Sequence, residues 1–304
     1  MSRIDLFGRA GQLRQDRVPC VLATVIRADK PTSAKPGDSA VIFADGSIEG
    51  FVGGSCAEST VRTESLKVLS SHESTLLLIT PGIAEGEVKV TPGLVSVSNP
   101  CLSGGTLEMF LEPAIPDPLV FIYGHGPIAQ SLVELGPLLG FDARHAETVT
   151  TIPVDLAAVI VATHSTDETE LLSTALKHNV SYVGLVASNK RGTAVRETLD
   201  LSEADRKRIH TPAGLDIGAR TPSEVALSIF AEIISTRPRH SDDVGTAFTT
   251  VKPDIAVDLV CNMEVLRVES SISAEYEGKD YWFCGKGCRD AFLFDPTRYL
   301  AVQT

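Results

Sequence analysis

Three cysteines near the C-terminal end of the chain have a spacing that suits a metal ion. Cys261 is followed by Cys284 and Cys288 in the pattern C-x22-C-x3-C, and Met263 adds a thioether beside the first of them. Thiolate and thioether ligands select zinc, copper(I) and related soft metals. We therefore interpret Cys261, Cys284 and Cys288 as a candidate metal site. The alternative is that the three thiols pack in a small apolar core with neighbouring phenylalanines.

A cysteine in the first third of the chain follows a pair of glycines. The run Gly53-Gly54-Ser55-Cys56 precedes a segment compatible with a helix as far as Leu69, so Cys56 is predicted at a helix N-terminus. That position lowers the pKa of a thiol and favours the thiolate, which could hold a soft metal or accept a persulfide. The alternative is a buried cysteine that packs as a small hydrophobe. Cys101 lies in a second glycine-bearing loop, and nothing in the sequence shows whether the two thiols meet.

A turn in the middle of the chain matches the dinucleotide-binding fingerprint. Gly124-x-Gly126-x-x-Ala129 follows the apolar run LVFIY and precedes residues with helical spacing. In that context the glycines let the backbone approach a pyrophosphate, and the helix N-terminus attracts the anion. Glu147, roughly twenty residues further on, is the candidate ribose ligand. His125 lies inside the turn and could face a ligand. The alternative is a Rossmann-like scaffold whose nucleotide site is vacant or has another use.

The elements that position these residues follow different patterns along the chain. Before residue 112, a β-branched run over 18–27 and an Asp-Gly hairpin signal at 44–46 predict mixed α and β structure. After residue 118, short apolar runs at 119–123, 157–162 and 182–186 alternate with helical segments. Such runs are typical of buried parallel strands, so we expect a parallel sheet with helices on both faces.

Two seams divide the chain into three predicted domains. The segment EPAIPDP over 112–118 is rich in proline, and residues 236–254 mix prolines, charges and small polar residues. We predict an α/β protein with an α+β N-terminal domain over 1–113, a Rossmann-like domain over 119–236 and a small module over 256–304. A module of about fifty residues has a marginal core, which metal ligation often stabilises.

The composition limits the class of protein. The chain has 304 residues, of which 43% are hydrophobic and 22% charged, as in an ordinary globular protein. A net charge of −12 argues against a nucleic-acid partner, which would require a basic surface. No apolar run reaches the roughly 18 residues of a transmembrane helix, and the N-terminus lacks the apolar region of a signal peptide. We expect a cytoplasmic protein whose six cysteines stay reduced.

Most of the chain resembles known families. Residues 18–112 and 119–235 resemble the XdhC/CoxI family of accessory proteins for molybdenum hydroxylases. The C-terminal module resembles a YHS/TRASH-type metal-binding domain, and the combination resembles the CoxF/CoxI type linked to carbon monoxide dehydrogenases. The segments that carry the resemblance are VLATV at 21–25, PTSAKPGD at 31–38, GFVGGSCAE at 50–58, CLSGGTLE at 101–108, GHGPIA at 124–129, YVGLVASNKR at 182–191, PAGLDIGARTP at 212–222 and FDPTRYL at 294–300.

The resemblance implies maturation of another enzyme more than turnover of a metabolite. Such a protein would bind molybdenum cofactor, as molybdopterin or its dinucleotide, and protect it during sulfuration. It would then hand the cofactor to an apo molybdenum hydroxylase of the xanthine dehydrogenase or carbon monoxide dehydrogenase type. A cysteine desulfurase is a further implied partner, and a homodimer is the implied assembly.

The same resemblance assigns roles to individual residues. Cys56 would contact the cofactor or its sulfur, the turn at 124–129 would hold the phosphate or nucleotide end, and Lys190 with Arg191 would neutralise that anion. In many relatives the cysteine follows the glycine pair directly, whereas Ser55 intervenes here. The residues expected at the cofactor are Gly53, Gly54, Cys56, Cys101, Gly124, His125, Gly126, Glu147, Lys190 and Arg191.

Two alternatives remain open. The first is an NAD(P)-dependent oxidoreductase that uses the glycine turn, with an acid or base near His125 or His164, although the sequence shows no convincing catalytic set. The second is a metal-handling protein that acts through the C-terminal module and contains zinc or another soft metal. It predicts that the three C-terminal cysteines are essential and Cys56 is dispensable, whereas the accessory-protein hypothesis predicts the reverse.

Overall fold

The structure is a computed structural model that describes residues 3–82, 88–99, 105–147, 152–163, 167–237 and 253–300. The chain forms two units. One contains residues 1–116 together with 251–304, and the other contains residues 117–250. Cys101 and His164 lie outside the described residues.

The N-terminal part of the first unit is a seven-stranded sheet with a helix on each face. The strand order is β3-β2-β1-β7-β4-β6-β5, and only the β4–β6 pair is parallel. Side chains alternate along a strand, so β1 directs Val21, Ala23 and Val25 to the core beneath α2, and Cys20 and Leu22 to the core beneath α1. The elements are α1 Arg3–Gln15, β1 Cys20–Asp29, β2 Ser39–Phe43, β3 Ile48–Gly50, α2 Ser55–Ser71, β4 Thr75–Pro81, β5 Val88–Thr91, β6 Leu94–Asn99 and β7 Thr106–Ala114.

The second unit contains a parallel five-stranded sheet in the order β12-β11-β10-β8-β9. Helices α3 and α7 pack on one face and α4 on the other, which confirms the predicted Rossmann-like architecture. The elements are β8 Leu119–Tyr123, α3 Pro127–Leu135, a 3-10 turn Gly136–Leu139, β9 Asp142–His145, β10 Leu156–Val161, α4 Glu168–Lys177, β11 Tyr182–Leu185, α5 Asn189–Thr198, α6 Glu203–Lys207, β12 Ile209–His210 and α7 Pro222–Ser235.

Helix α7 begins where the sequence indicates. The Thr221 hydroxyl accepts a hydrogen bond from the backbone N–H of Glu224, and the Glu224 carboxylate accepts one from the backbone N–H of Thr221. This reciprocal pair is a capping box, which satisfies N–H groups that the first turn leaves without a helical partner.

The C-terminal module belongs to the first unit and consists of two short hairpins followed by two helices. Its aromatic core surrounds Phe292, whose ring contacts those of Tyr276, Tyr281, Phe283 and Tyr299. The elements are β13 Ile255–Val257, β14 Glu264–Leu266, β15 Ile272–Tyr276, β16 Lys279–Phe283, α8 Lys286–Phe294 and α9 Pro296–Leu300. Within the described ranges, no helix combines the length and the apolar character that are required to span a bilayer.

Candidate functional site

The structure brings the three C-terminal cysteines together. The Cys284 Sγ lies 3.5 Å from the Cys261 Sγ and 3.6 Å from the Cys288 Sγ. A carboxylate oxygen of Asp258 joins them, so that the four ligand atoms lie within 4.8 Å of one another. We call Asp258, Cys261, Cys284 and Cys288 the thiol cluster.

Each member of the thiol cluster is placed by a different local structure. Cys261 lies in the turn between β13 and β14, where Asn262 adopts the left-handed conformation with φ 58°. Cys284 directly follows β16, and Cys288 lies in the first turn of α8, for which Gly285 is the N-cap. A hairpin turn, a strand end and a helix start thereby converge on one point.

Asp258 is the member that the sequence analysis missed. It is fully buried, and its Oδ2 accepts a hydrogen bond of 2.8 Å from the backbone N–H of Cys284, while Oδ1 accepts one of 2.9 Å from Val260. Its backbone carbonyl also accepts from the N–H of Asn262, at 2.7 Å. Asp258 therefore ties the Cys261 turn to the end of β16. Its position three residues before Cys261 is the signal that could have identified it.

The electrostatics of the cluster favour one thiolate among protonated neighbours. Hydrogen bonds from the thiols of Cys261 and Cys284 lower the pKa of Cys288 well below that of an ordinary thiol. Hydrogen bonding to Cys261 and Cys288 raises the pKa of Cys284, and burial raises the pKa of the Asp258 carboxyl. A soft cation would replace the thiol protons, because metal ligation requires deprotonated sulfur.

The donor set fits a soft metal. In tetrahedral zinc sites a Zn–S bond of about 2.3 Å places neighbouring sulfurs about 3.8 Å apart. The two sulfur–sulfur distances at Cys284 are close to that value. Met263, expected as an additional soft donor, is buried in the same apolar cluster as Cys284.

Cys56 lies in the first turn of α2, the position that the preceding glycine pair predicted. Gly53 has φ 141°, a conformation that favours glycine, and a Cβ there would lie 3.1 Å from the Cβ of Ala57. Gly54 is the N-cap of α2 and has open space where its Cβ would be. Cys56 is half-buried and packs against Cys284 of the thiol cluster, a contact that the sequence did not predict.

The two glycines of the middle turn have different surroundings. Gly124 directly follows β8 and has φ 121°, and a Cβ there would lie 2.4 Å from the carbonyl oxygen of Ala162, which directly follows β10. Gly126 is the N-cap of α3 with φ −68°, and a Cβ there would meet nothing within 4 Å. Gly124 is therefore required for the close packing of two strand ends. Gly126 leaves space at a helix N-terminus, where anions bind.

Polar side chains stand at the carboxyl ends of the neighbouring strands. The ring of His125, after β8, lies 5.0 Å from that of His145, the last residue of β9. Glu147 follows two residues later and is exposed. Ligands of open parallel sheets bind outside this edge, so His125 and Glu147 lie where a ligand could reach them. His145 was not singled out from the sequence.

Lys190 and Arg191 lie in the first turn of α5 and differ in their surroundings. Lys190 is exposed, whereas Nη2 of Arg191 donates to both carboxylate oxygens of buried Glu168, at 2.5 and 2.6 Å. Nη1 of Arg191 is buried without a hydrogen-bond partner among the described residues. The bidentate contact with Glu168 fixes the position of the guanidinium.

A polar network in the second unit was also missed. The Tyr182 hydroxyl donates to Glu232 Oε2 at 2.6 Å, Gly214 donates its backbone N–H to the same oxygen at 2.7 Å, and His210 Nδ1 lies 3.0 Å from Oε1. Burial alone would raise the pKa of Glu232, but these hydrogen bonds outweigh it and hold the pKa below its usual value. The network anchors the segment between β12 and α7. Its sequence signal is a glutamate between apolar residues of α7.

Three family models match the chain. They are the XdhC and CoxI family over residues 13–80, the XdhC Rossmann domain over residues 120–233 and the YHS domain over residues 256–302.

Curated relatives are similar over large parts of the chain. The uncharacterized protein YqeB of Escherichia coli K12 is 25% identical over 263 residues, which cover 77% of this chain and 46% of that protein. A probable xanthine dehydrogenase subunit from Bacillus subtilis 168 is 28% identical over 160 residues, covering 44% and 47%. The molybdenum cofactor insertion chaperone PaoD of Escherichia coli K12 is 23% identical over 270 residues, covering 73% and 85%. The chain spans about half the length of the first two relatives.

Proposed function

We propose that this chain, which contains an XdhC and CoxI family segment, an XdhC Rossmann domain and a YHS domain, is a maturation factor that binds molybdenum cofactor and delivers it to an apo molybdenum hydroxylase. The similarity to a molybdenum cofactor insertion chaperone and to a probable xanthine dehydrogenase subunit supports this role. Protection of the cofactor during sulfuration, with a cysteine desulfurase as partner, belongs to the same proposal. The proposal also includes a client enzyme of the xanthine or carbon monoxide dehydrogenase type. It further includes a homodimer and a cytoplasmic location, where thiols stay reduced.

The observation that carries the proposal is the open N-terminus of α3. Gly126 leaves free space above the first turn, and Arg191 of the same unit has a buried Nη1 without a partner among the described residues. Both features suit the phosphate of molybdopterin or the pyrophosphate of its dinucleotide form. When bound, the cofactor supplies the molybdenum chemistry of the client enzyme, while this chain would hold the phosphate end.

The test uses a matched pair of substitutions at Gly126. Asp and Asn are both favoured N-caps with similar volume, so both variants should keep α3 folded. The carboxylate of Gly126→Asp would repel a phosphate, whereas the amide of Gly126→Asn would not. We expect the purified Asp variant to retain less molybdenum and pterin than the Asn variant, and to activate a co-expressed molybdenum hydroxylase less.

Equal pterin content in the two variants would contradict phosphate binding at α3. A nicotinamide nucleotide in place of pterin in the purified wild-type chain would favour the NAD(P)-dependent oxidoreductase alternative instead.

A second proposed activity is binding of a soft metal, such as zinc, by Cys261, Cys284 and Cys288. The short sulfur–sulfur distances within the thiol cluster favour it. We expect Cys284→Ala to abolish stoichiometric zinc in the purified chain. The control is Cys20→Ala, which removes a thiol from the core beneath α1 and should leave the zinc content unchanged.

A further inference from the structure

The thiol cluster lies against α2, in the N-terminal part of the same unit. Cys56 packs with Met263, Val265 and Cys284, and its thiol interacts with that of Cys284. The approach is close, because a Cβ on Gly285 would lie 3.4 Å from the Cys56 Sγ. A fourth sulfur therefore lies next to that of Cys284, one of the three that the C-terminal module supplies.

Polar contacts hold the module to the same helix. Lys67 of α2 bridges Glu64 of its own helix at 2.9 Å and Glu264 of β14 at 2.7 Å. Arg62 donates a hydrogen bond of 2.8 Å to the Ser270 hydroxyl. These contacts keep the first turn of α2 beside the cluster without any metal.

The remaining member of the thiol cluster, Asp258, uses its carboxylate for hydrogen bonds to the backbone. Each of its carboxylate oxygens accepts a backbone N–H, one from Cys284 and one from Val260. A carboxylate tied in this way orients the ligands around it, as the outer residues of metal sites do. Structural zinc sites are almost always closed by four protein ligands, so a site built on three cysteines requires one more.

We propose that Cys56 supplies the fourth thiolate to a soft metal held by Cys261, Cys284 and Cys288, so that the metal joins the N-terminal domain to the C-terminal module. The inference rests on the proposed metal binding by the module. Cys56 and Cys288 lie in the first turns of α2 and α8, and the positive ends of both helices stabilise thiolates. Asp258 is then a positioning residue.

Metal ligation by Cys56 would affect cofactor handling. A sulfur bound to a metal is unavailable to the molybdenum cofactor or to a persulfide donor. Cys56 would therefore be accessible only after the metal leaves or the module detaches. A metal bound in this way would keep the Cys56 thiol, which is expected to serve maturation, bound beneath the C-terminal module.

The experiment is a titration of the full chain with Cd²⁺, whose thiolate charge-transfer absorbance reports the number of bound sulfurs. Cys56→Ala should lower the absorbance at saturation by about a quarter, because one of four thiolates is lost. The matched control is Ser55→Ala, which should leave the absorbance unchanged. In the wild-type chain the Ser55 hydroxyl, like the Cys56 Sγ, lies 3.4 Å from where a Cβ on Gly285 would be.

A second measurement follows the reactivity of Cys56 itself. In the wild-type chain, Cd²⁺ should protect Cys56 from iodoacetamide, and a chelator should restore alkylation, as measured by peptide mass spectrometry. The same rate of Cys56 alkylation with and without Cd²⁺, or full absorbance in Cys56→Ala, would overturn the proposal. Absence of Cd²⁺ binding to the wild-type chain would overturn both this inference and metal binding by the module. The pterin measurement on Gly126 variants would be unaffected.

Discussion

Cys56, in the first turn of α2, packs against Cys284, at the end of β16, although the whole Rossmann unit separates them along the chain. The contact links two hypotheses that the sequence keeps apart. One assigns Cys56 to cofactor handling, and the other assigns Cys284 to a metal. A substitution at either cysteine should therefore change the environment of the other.

Removal of metal should destabilise the C-terminal module. Its core is small, and a bound metal contributes its binding free energy to folding. We expect a chelator to lower the temperature at which the Trp282 signal changes, because Trp282 packs against the apolar core that contains Cys284. The Trp282 signal of Cys288→Ala should change at the same lowered temperature with or without chelator. A chelator effect of equal size in that variant would contradict this prediction.

The two glycines of the middle turn should respond differently to alanine. Gly124→Ala places a Cβ against the Ala162 carbonyl oxygen at a positive φ, so we expect a loss of more than about 2 kcal/mol in the free energy of unfolding. Gly126→Ala meets open space at an ordinary φ and should change stability by no more than about 1 kcal/mol. Urea unfolding of both variants checks the difference, and similar losses would refute it.

The stability of the second unit should fall in acid through Glu232. The folded-state pKa of this carboxyl lies below its ordinary value of 4.5, so its contribution is complete above that value and is lost as the pH falls through the folded-state pKa. Glu232→Gln should reduce the change in the free energy of unfolding over that pH range. Near neutral pH it should lower the free energy of unfolding by roughly 1–3 kcal/mol, because the Gly214 N–H and the Tyr182 hydroxyl lose a charged acceptor. Unfolding curves of wild type and variant at several pH values provide the measurement.

The ion pair between Arg191 and Glu168 should stabilise the second unit and position the guanidinium. Glu168 is 4% exposed, so Arg191→Met leaves a buried carboxylate without its partner and should cost about 3–5 kcal/mol. The double variant Arg191→Met with Glu168→Gln should recover part of that loss. If the guanidinium also binds a phosphate, the recovered stability will not restore pterin content. Restored pterin would show that Arg191 acts only in folding.

The architecture of the second unit could be predicted because its signals are local. Short apolar runs such as 119–123 and 182–185 must be buried on both faces, which requires a parallel sheet between helices. The capping box at Thr221 fixes the start of α7 within a single turn. The three C-terminal cysteines were likewise recognisable, because two of them lie four residues apart across one helix start.

Other parts of the candidate site depend on contacts between distant segments. Asp258 resembles an ordinary turn residue until β16 brings the Cys284 N–H to its carboxylate. The contact of Cys56 with Cys284 requires the module to dock on α2, and no periodicity in either segment encodes that docking. The Tyr182–Glu232 hydrogen bond joins β11 to α7 through the tertiary fold alone.

Because residues 1–116 and 251–304 form one unit, the Rossmann unit is an insertion in the sequence of that unit. A metal shared by Cys56 and the C-terminal cysteines would cross-link the two segments that flank this insertion, so that the insertion would lie within a closed loop of the chain. The entropic cost of closing so long a loop rises only slowly with its length, so a single ion could keep the loop shut. Without the metal, closure of this loop would depend on noncovalent contacts such as those of Lys67 with Glu264 and of Arg62 with Ser270.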